Sequence, residues 1–143
     1  MSTWITKSPE ETREVGKTFA AQLKGGDVVT LTGNLGSGKT QFVAGVCEGL
    51  NARGHVASPT FTFINEYETD FGKVAHMDLY RINKRAEIAE LGVEEYFNQN
   101  CVSMIEWPEM IMDLLPEGHY DVRITYGEKD NEREIKIAGT VAA

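Results

Sequence analysis

The sequence contains few of the residues that define several large protein classes. Only two cysteines and three histidines occur among 143 residues, and neither set has the spacing of a disulfide framework or a zinc site. Cys47 and Cys101 lie within apolar segments, so we expect both to be buried thiols. No stretch approaches the roughly 18 consecutive apolar residues of a membrane span, and the first residues lack a signal-peptide pattern. We therefore expect a cytoplasmic protein with no membrane contact.

Positive charge is also scarce, since the chain has 14 Lys and Arg residues and 22 Asp and Glu residues, which gives a net charge of −8. Affinity for a nucleic acid backbone comes mainly from lysine and arginine side chains that neutralise phosphates. The charge balance therefore predicts that any role in nucleic acid metabolism runs through a protein partner. A chain of 143 residues, 41% of them hydrophobic, is predicted to form one domain over residues 1–143.

Glycine, in contrast, is concentrated in residues 28–41, which read VVTLTGNLGSGKTQ. Four positions in this stretch have the spacing G-x-x-x-x-G-K-[ST] of the phosphate-binding P-loop, between a short apolar strand and a helix. In such a loop the backbone N–H groups converge on a polyphosphate, the lysine bridges its β- and γ-phosphates, and the threonine hydroxyl binds Mg²⁺. The stretch therefore predicts a site for ATP and Mg²⁺. The predicted nucleotide contacts are Gly33, Gly36, Ser37, Gly38, Lys39, Thr40 and Gln41.

A second apolar stretch, residues 101–105, ends in a carboxylate. Glu106 follows it directly and Trp107 comes next, as in the Walker B arrangement, in which a parallel neighbour of the P-loop strand delivers an acid to the metal. Ligands in open α/β sheets bind beyond the carboxyl ends of the strands. Glu106 is therefore a strong candidate for the metal site, and Trp107 is predicted to lie beside it.

Asp78 competes with Glu106 for the metal. Residues 61–68 and 73–80 are predicted to form an antiparallel hairpin, with Asp78 near its end. The aspartate is a second candidate for holding Mg²⁺ or a water molecule, but it could equally pair with Arg81 or cap a turn. The sequence does not decide which of the two acids contacts the metal.

The loop before this hairpin contains Thr60, shortly after the P-loop helix. A threonine at such a place often senses the γ-phosphate and Mg²⁺ in phosphate-transfer proteins. Thr60 is our candidate for that role. The alternative is an ordinary surface hydroxyl that leads into a strand.

The pattern of elements predicts a three-layer α/β P-loop domain, with a mixed central sheet flanked by helices. Strands 28–32 and 101–105 are expected to be parallel, and the hairpin 120–126 with 132–138 to extend the sheet. Ser8, Pro9 and Glu11 form a capping-box pattern that predicts a first helix ending at Gly25 and Gly26. Residues 87–97 are predicted to be helical around a break at Gly92. The strand order is left open.

Five motifs occur in an order that closely resembles the TsaE family of small bacterial P-loop ATPases, also known as the YjeE family. The resemblance covers nearly the whole chain and is more specific than the P-loop alone. The motifs are GNLGSGKT (33–40), SPTF (58–61), HMDLYR (76–81), LGVEEYF (91–97) and EWPE (106–109).

This resemblance implies an ATPase that acts with the transferase TsaD and its companion TsaB to place threonylcarbamoyl on adenosine 37 of tRNA. Its hydrolysis cycle would reset the TsaB–TsaD assembly, and tRNA would be contacted only through that complex. We expect the chain alone to be a monomer, although the sequence does not define its oligomeric state.

The resemblance also implies roles for individual residues. Thr40 and Glu106 would hold Mg²⁺, Thr60 would act as the switch threonine, and Asp78 and Trp107 would be needed for hydrolysis. Further nucleotide contacts are implied by the resemblance at Ser8, Pro9 and Arg133.

Three other functions share the P-loop. A small-molecule kinase would clamp the transferred phosphate with arginines from a lid, but the chain has only Arg81 and Arg85 as a near pair and no obvious lid insertion. A GTPase would usually carry Asn-Lys-x-Asp, whereas Asn83 and Lys84 are followed by Arg85 and Ala86. A nucleotide-sensing module without catalysis is the third alternative.

Overall fold

A computed structural model describes residues 2–34, 36–54 and 63–139 of the chain. These residues form seven β-strands, three α-helices and two short 3₁₀ helices, the latter at Val93–Tyr96 and Pro108–Leu114. In chain order the strands and α-helices are β1 (Ser2–Thr6), α1 (Pro9–Ala20), β2 (Val28–Gly33), α2 (Lys39–Gly49), β3 (Ile64–Thr69), β4 (Gly72–Asp78), α3 (Arg85–Leu91), β5 (Cys101–Glu106), β6 (Tyr120–Tyr126) and β7 (Arg133–Gly139).

All seven strands belong to one mixed sheet with the order β1-β7-β6-β2-β5-β4-β3. Strands β6, β2, β5 and β4 form a parallel centre, and the remaining strands join by antiparallel pairing. The α/β class, the parallel β2–β5 pair and both predicted hairpins are confirmed. The parallel centre brings the carboxyl ends of four strands to one edge of the sheet.

The two faces of the sheet carry separate hydrophobic clusters, because successive strand residues point in opposite directions. On one face, α1 and α2 pack through Phe19 and Phe42 against β2 residues such as Leu31. On the other, α3 and the 3₁₀ helices pack through Ile88 and Ile111. Both faces of the central strands are therefore buried, as the mainly apolar sequences of β2 and β5 predict.

The two helices on the first face approach each other at their backbones. A Cβ at Gly16 of α1 would collide with the carbonyl oxygen of Phe42, and one at Gly45 of α2 would collide with that of Arg13. Only glycine permits this contact. The contact packs the helix that follows the glycine loop directly against α1.

The first helix begins as predicted and ends earlier. The Glu11 N–H donates to Ser8 Oγ at 3.1 Å, so Ser8 is the N-cap. The Glu11 carboxylate accepts from the N–H of Lys7 rather than from that of Ser8. The helix ends at Ala20 instead of Gly25, because a separate turn carries the buried Leu23 back toward the sheet.

Other boundaries also differ from the expectation. The break predicted at Gly92 is confirmed, since Gly92 has φ 67° and ends α3. The helix before it begins at Arg85, two residues earlier than expected, and the segment after it is a 3₁₀ turn. Strand β1 was not predicted, because a five-residue edge strand has little apolar alternation. Both Cys47 and Cys101 are buried free thiols, as expected, and burial raises the pKa of Cys47 to about 12.

Among the described residues, no helix combines the length and the apolar character that crossing a lipid bilayer requires.

Candidate functional site

The glycine loop connects β2 to α2 and leaves the first turn of α2 open. Gly36 and Gly38 have φ angles of 72° and 111°, in the left-handed region that glycine adopts readily. Gly38 immediately precedes α2, and no side chain of the described residues caps this end of the helix. The unpaired N–H groups of the first turn of α2 are therefore available to an anion.

Lys39 is the first residue of α2, and its side chain is buried beside the loop. The residue is 5% exposed. Its Nζ donates to the carbonyl oxygen of Gly33 at 3.3 Å and lies 4.2 Å from the centre of the Trp107 ring. Burial lowers the pKa of Lys39, while the negative charges of Glu106 and Asp78 act in the opposite direction. The ammonium group is thus partly desolvated, which strengthens its attraction to an incoming anion.

Asp78 and Glu106 end two neighbouring parallel strands. Strands β4 and β5 pair with Asp78 opposite Glu106, so the two acids lie at the same edge of the sheet. Asp78 is half-buried, and it accepts a 3.0 Å hydrogen bond from the N–H of Tyr80, which is the turn-capping contact that its sequence context allowed. Burial raises the pKa of Asp78, and the charge of Glu106 raises it further.

Glu106 is held by a histidine on the adjacent strand. The carboxylate is 4% exposed, and its Oε2 lies 2.6 Å from Nε2 of the fully buried His76. His76 precedes Asp78 by two residues and therefore lies on the same face of β4. No sequence pattern assigned His76 a role.

Trp107 covers the buried lysine. Its φ of 56° and ψ of 61° lie in the left-handed region, which is unusual for a bulky residue. The indole ring also packs against Tyr80, with ring centres 4.8 Å apart. The backbone turn at Trp107 thus directs its ring over Lys39 and onto an aromatic residue that sequence reasoning did not select.

A cleft of about 290 Å³ lies between the loop and these strand ends. We call Asp78, Tyr80, Glu106 and Trp107, which form one side of it, the carboxylate wall. The opposite side comes from the loop and the start of α2, through Gly36, Gly38, Lys39, Thr40 and Gln41. The structure therefore brings five of the seven predicted P-loop contacts and three of the predicted hydrolysis residues to one cleft.

A second cleft of about 330 Å³ lies on the other side of the same loop and shares Gly36, Gly38 and Gln41 with the first. Its outer side, which we call the arginine wall, consists of Ser8, Pro9, Asn131 and Arg133. Arg133 Nε donates to the carbonyl oxygen of Ser37 at 3.1 Å, and its guanidinium lies 5.0 Å from the centre of the Tyr126 ring. Ser8 and Arg133, predicted from distant parts of the chain, thus both lie beside the loop.

Cleft size alone does not identify the site. Two clefts away from the loop are larger, at about 350 Å³ beside α3 and about 450 Å³ beside β3 and β4. Neither is lined by residues of the glycine loop. The chemistry of the lining residues, rather than volume, selects the clefts that flank the loop.

One predicted residue cannot be placed. Thr60 and the Ser58–Phe61 motif lie outside the described residues, so the switch-threonine role stays a prediction. Gly33 ends β2 and contacts Lys39 through its carbonyl group. Ser37 is fully buried, and its Oγ has no hydrogen-bond partner among the described residues. The roles assigned to all these residues are likewise predictions.

The donor atoms in the first cleft suit Mg²⁺. No group of three or more His, Cys, Asp or Glu side chains within the described parts of the chain is arranged to hold a metal by itself. Nucleotide-bound Mg²⁺ does not need such a group, because phosphate oxygens and water complete its coordination. Thr40, Asp78 and Glu106 line one cleft and offer the hydroxyl and carboxylate oxygens that Mg²⁺ prefers. These residues fit a metal ion that is held jointly with a nucleotide.

Comparison with known proteins gives a consistent result. The sequence model of threonylcarbamoyl adenosine biosynthesis protein TsaE matches residues 6–135. A Bacillus subtilis (strain 168) relative named tRNA threonylcarbamoyladenosine biosynthesis protein TsaE is 44% identical over 132 residues, which is 92% of this chain and 82% of the relative. A protein of the same name from Rickettsia bellii is 40% identical over 88% of both chains.

A solved structure supports the same assignment. The crystal structure of Bacillus subtilis YdiB matches with a TM-score of 0.80 and 38% sequence identity, over 99% of this chain and 86% of that one. An Aquifex aeolicus TsaE relative is 36% identical over 84% of this chain and 92% of its own length. The chain therefore belongs to the TsaE family of tRNA threonylcarbamoyladenosine biosynthesis proteins.

Proposed function

We propose that this protein is a Mg²⁺-dependent ATPase that supports formation of the threonylcarbamoyl group on adenosine 37 of tRNA. One observation carries the proposal. Lys39, at the open end of α2, faces the paired acids Asp78 and Glu106 across a single cleft. A module that only binds nucleotide needs the loop, whereas hydrolysis also needs acids on its opposite side.

Nucleotide binding would use the loop first. The free N–H groups at the start of α2 and the Lys39 ammonium would surround the β- and γ-phosphates. Lys39 would exchange its bond to the Gly33 carbonyl for stronger, charge-assisted bonds to phosphate oxygens. Arg133 lies on the other side of the loop and supplies a second positive charge to the bound nucleotide.

In hydrolysis, a water molecule attacks the γ-phosphorus, the bond to the bridging oxygen breaks, and ADP and inorganic phosphate leave. Asp78 would orient that water and accept its proton, a role that a raised pKa favours. Thr40 and Glu106 would hold Mg²⁺, whose charge offsets the negative charge that develops on the phosphates. Trp107, over Lys39, would limit the access of bulk water to the lysine.

The partner complex would be TsaB–TsaD. The family takes part in tRNA modification, yet the net charge of −8 is unfavourable for direct tRNA binding. We therefore assign tRNA contact to the TsaB–TsaD assembly in the cytoplasm, with ATP hydrolysis resetting that assembly between turnovers. Tight binding of tRNA to the isolated protein, with a steep salt dependence, would contradict this arrangement.

The decisive experiment measures phosphate release from ATP with the protein alone, with TsaB–TsaD alone, and with all three. We expect slow release from the protein alone and strong stimulation in the full mixture. Rapid phosphate transfer to an added small-molecule acceptor would instead indicate a kinase, and a preference for GTP would indicate a GTPase. Nucleotide binding without turnover in the full mixture would indicate a sensing module.

A further inference from the structure

His76 is a buried polar residue that the proposed hydrolysis does not use. It is fully buried in β4, and its Nδ1 has no hydrogen-bond partner among the described residues. Burial of a polar group without a partner is unfavourable, so an apolar residue would suit the packing better. Within the described parts of the chain, its ring has one hydrogen-bond partner, the Glu106 carboxylate.

The direction of that bond follows from the two groups. An ionised carboxylate only accepts, so Nε2 of His76 donates to Oε2 of Glu106. This bond places a hydrogen on Nε2, and Nδ1 is then the ring nitrogen without a partner among the described residues. His76 thus acts toward Glu106 as a fixed donor.

Strand register shows what the bond does to Glu106. The Cα of Glu106 pairs with Asp78, whereas His76 pairs with Met104, two residues earlier on β5. The hydrogen bond between His76 and Glu106 therefore spans an offset of two residues along the paired strands. This contact engages one carboxylate oxygen and restrains rotation of the group, so that the second oxygen remains for a ligand in the cleft.

We propose that His76 is a positioning residue that holds the Glu106 carboxylate in the orientation required to bind Mg²⁺. The inference depends on the function proposed above. Lys39 provides the physical reason that a restraint is needed, because its ammonium attracts Glu106 within the same cleft. Without His76, Glu106 would turn toward Lys39, and the lysine would be drawn away from the phosphates while the metal lost a ligand.

A role in packing alone makes a different prediction. Loss of His76 would then lower thermal stability without changing metal affinity.

Three substitutions separate the two roles. His76→Leu and His76→Asn remove the donor or withdraw it from reach, while His76→Gln provides an amide N–H near the former Nε2 position. Ser103→Ala is the matched control, a buried polar residue of β5 on the face opposite Glu106.

The experiment measures Mn²⁺ affinity by electron paramagnetic resonance, in protein saturated with a non-hydrolysable ATP analogue. We expect His76→Leu and His76→Asn to weaken Mn²⁺ binding about 10- to 100-fold, the range typical of residues that orient metal ligands. His76→Gln should recover most of the affinity, and Ser103→Ala should match the unmodified protein. In a Glu106→Gln background, His76→Leu should have no additional effect on phosphate release, because the two residues act as a unit.

The outcomes separate this inference from the proposed function. Unchanged Mn²⁺ affinity in His76→Asn, in protein that binds the analogue normally, would refute the positioning role and leave the ATPase proposal intact. If the unmodified protein binds neither the ATP analogue nor Mn²⁺, the positioning role and the ATPase proposal are both overturned. If His76→Leu does not fold, the comparison of His76→Asn with His76→Gln decides, since equal affinities would contradict the role.

Discussion

The two walls that flank the glycine loop differ in how the chain builds them. The carboxylate wall comes from the ends of β4 and β5 in the parallel centre of the sheet, where strand pairing and buried side chains hold each group. The arginine wall joins the start of α1 to the start of β7, which pairs with the edge strand β1. The proposed reactive groups thus lie in the parallel centre of the sheet, and peripheral segments supply the outer contacts.

This difference suggests a division of labour. The carboxylate wall carries acids with restrained positions, which hydrolysis requires. The arginine wall carries a positive charge and a helix cap, which suit binding of an anionic ligand. If the division is correct, substitutions in the loop should impair both binding and hydrolysis, and substitutions in either wall should impair mainly one of them.

The largest effect should come from Lys39→Ala, because the loop serves both walls. Loss of the ammonium should severely weaken ATP binding and lower phosphate release by about 100- to 1,000-fold, as removal of a transition-state donor does elsewhere. A fluorescent ATP analogue and a phosphate-release assay measure the two quantities. Lys73→Ala is the control, since Lys73 lies on β4 in an ion pair with Glu66 and outside both walls. Normal ATP affinity in Lys39→Ala would contradict the assignment of the glycine loop as the nucleotide-binding site.

Glu106→Ala should affect hydrolysis more than binding. We expect phosphate release to fall about 100-fold, while the affinity for ATP measured without Mg²⁺ changes little, because the loop is intact. Circular dichroism should confirm that the Glu106→Ala variant is folded, because the substitution leaves the buried His76 without its hydrogen-bond partner. Glu106→Gln keeps the volume and tests whether the charge is what matters. Equal losses of binding and turnover would argue against separate roles for the two walls.

Arg133→Ala should give the opposite pattern. Loss of a charge-assisted contact should weaken ATP binding about 10-fold, with little change in turnover at saturating ATP. Titration of ATP in the stimulated phosphate-release assay yields KM and kcat separately. Arg123→Ala, at an exposed arginine of β6, is the matched control. A fall in kcat with KM unchanged would place Arg133 in the hydrolysis step and would contradict the assignment of the arginine wall to binding.

The smallest effect should be a pH-dependent change in stability. The pKa of Asp78 is raised in the folded protein, so the fold binds that proton more tightly than the unfolded chain does. Ionised Asp78 therefore destabilises the fold above the folded pKa, and this penalty disappears below the unfolded value near ~3.9. Asp78→Asn should raise the melting temperature slightly at pH 7 and lose that advantage as the pH approaches 4.

The same variant links stability to activity. Asp78→Asn should lower phosphate release about 100-fold, because the amide cannot accept a proton. The Asn oxygen can still accept the N–H of Tyr80, so the turn should be preserved. Thermal melts at several pH values, paired with the hydrolysis assay, test both statements. A lower melting temperature at pH 7 would show that the Asp78 charge stabilises the fold.

Much of the parallel centre and of the loop was predictable from local patterns. Residues 28–32 and 101–105 are mainly apolar stretches, which predict buried strands wherever they lie in the sheet. The edges were harder to predict. Strand β1 depends on pairing with β7 at the far end of the chain, and the end of α1 depends on where Leu23 meets the core.

The same distinction holds within the site. Asp78, Glu106 and Trp107 could be selected because each lies near or just beyond the end of a predicted strand. His76 and Tyr80 could not, since strand alternation shows that they share a face with Asp78 but not what that face contacts. Only the pairing of β4 with β5 brings His76 within reach of Glu106.

The amino-acid sequence by itself determined the glycine loop from Gly33 to Thr40, because adjacent residues specify its turn, its open helix end and its lysine. Tertiary structure decided what surrounds that loop. Lys39 beneath Trp107, Glu106 against His76 and Arg133 beside Ser37 are contacts between distant segments. Such contacts depend on strand order and register, which no local pattern encodes.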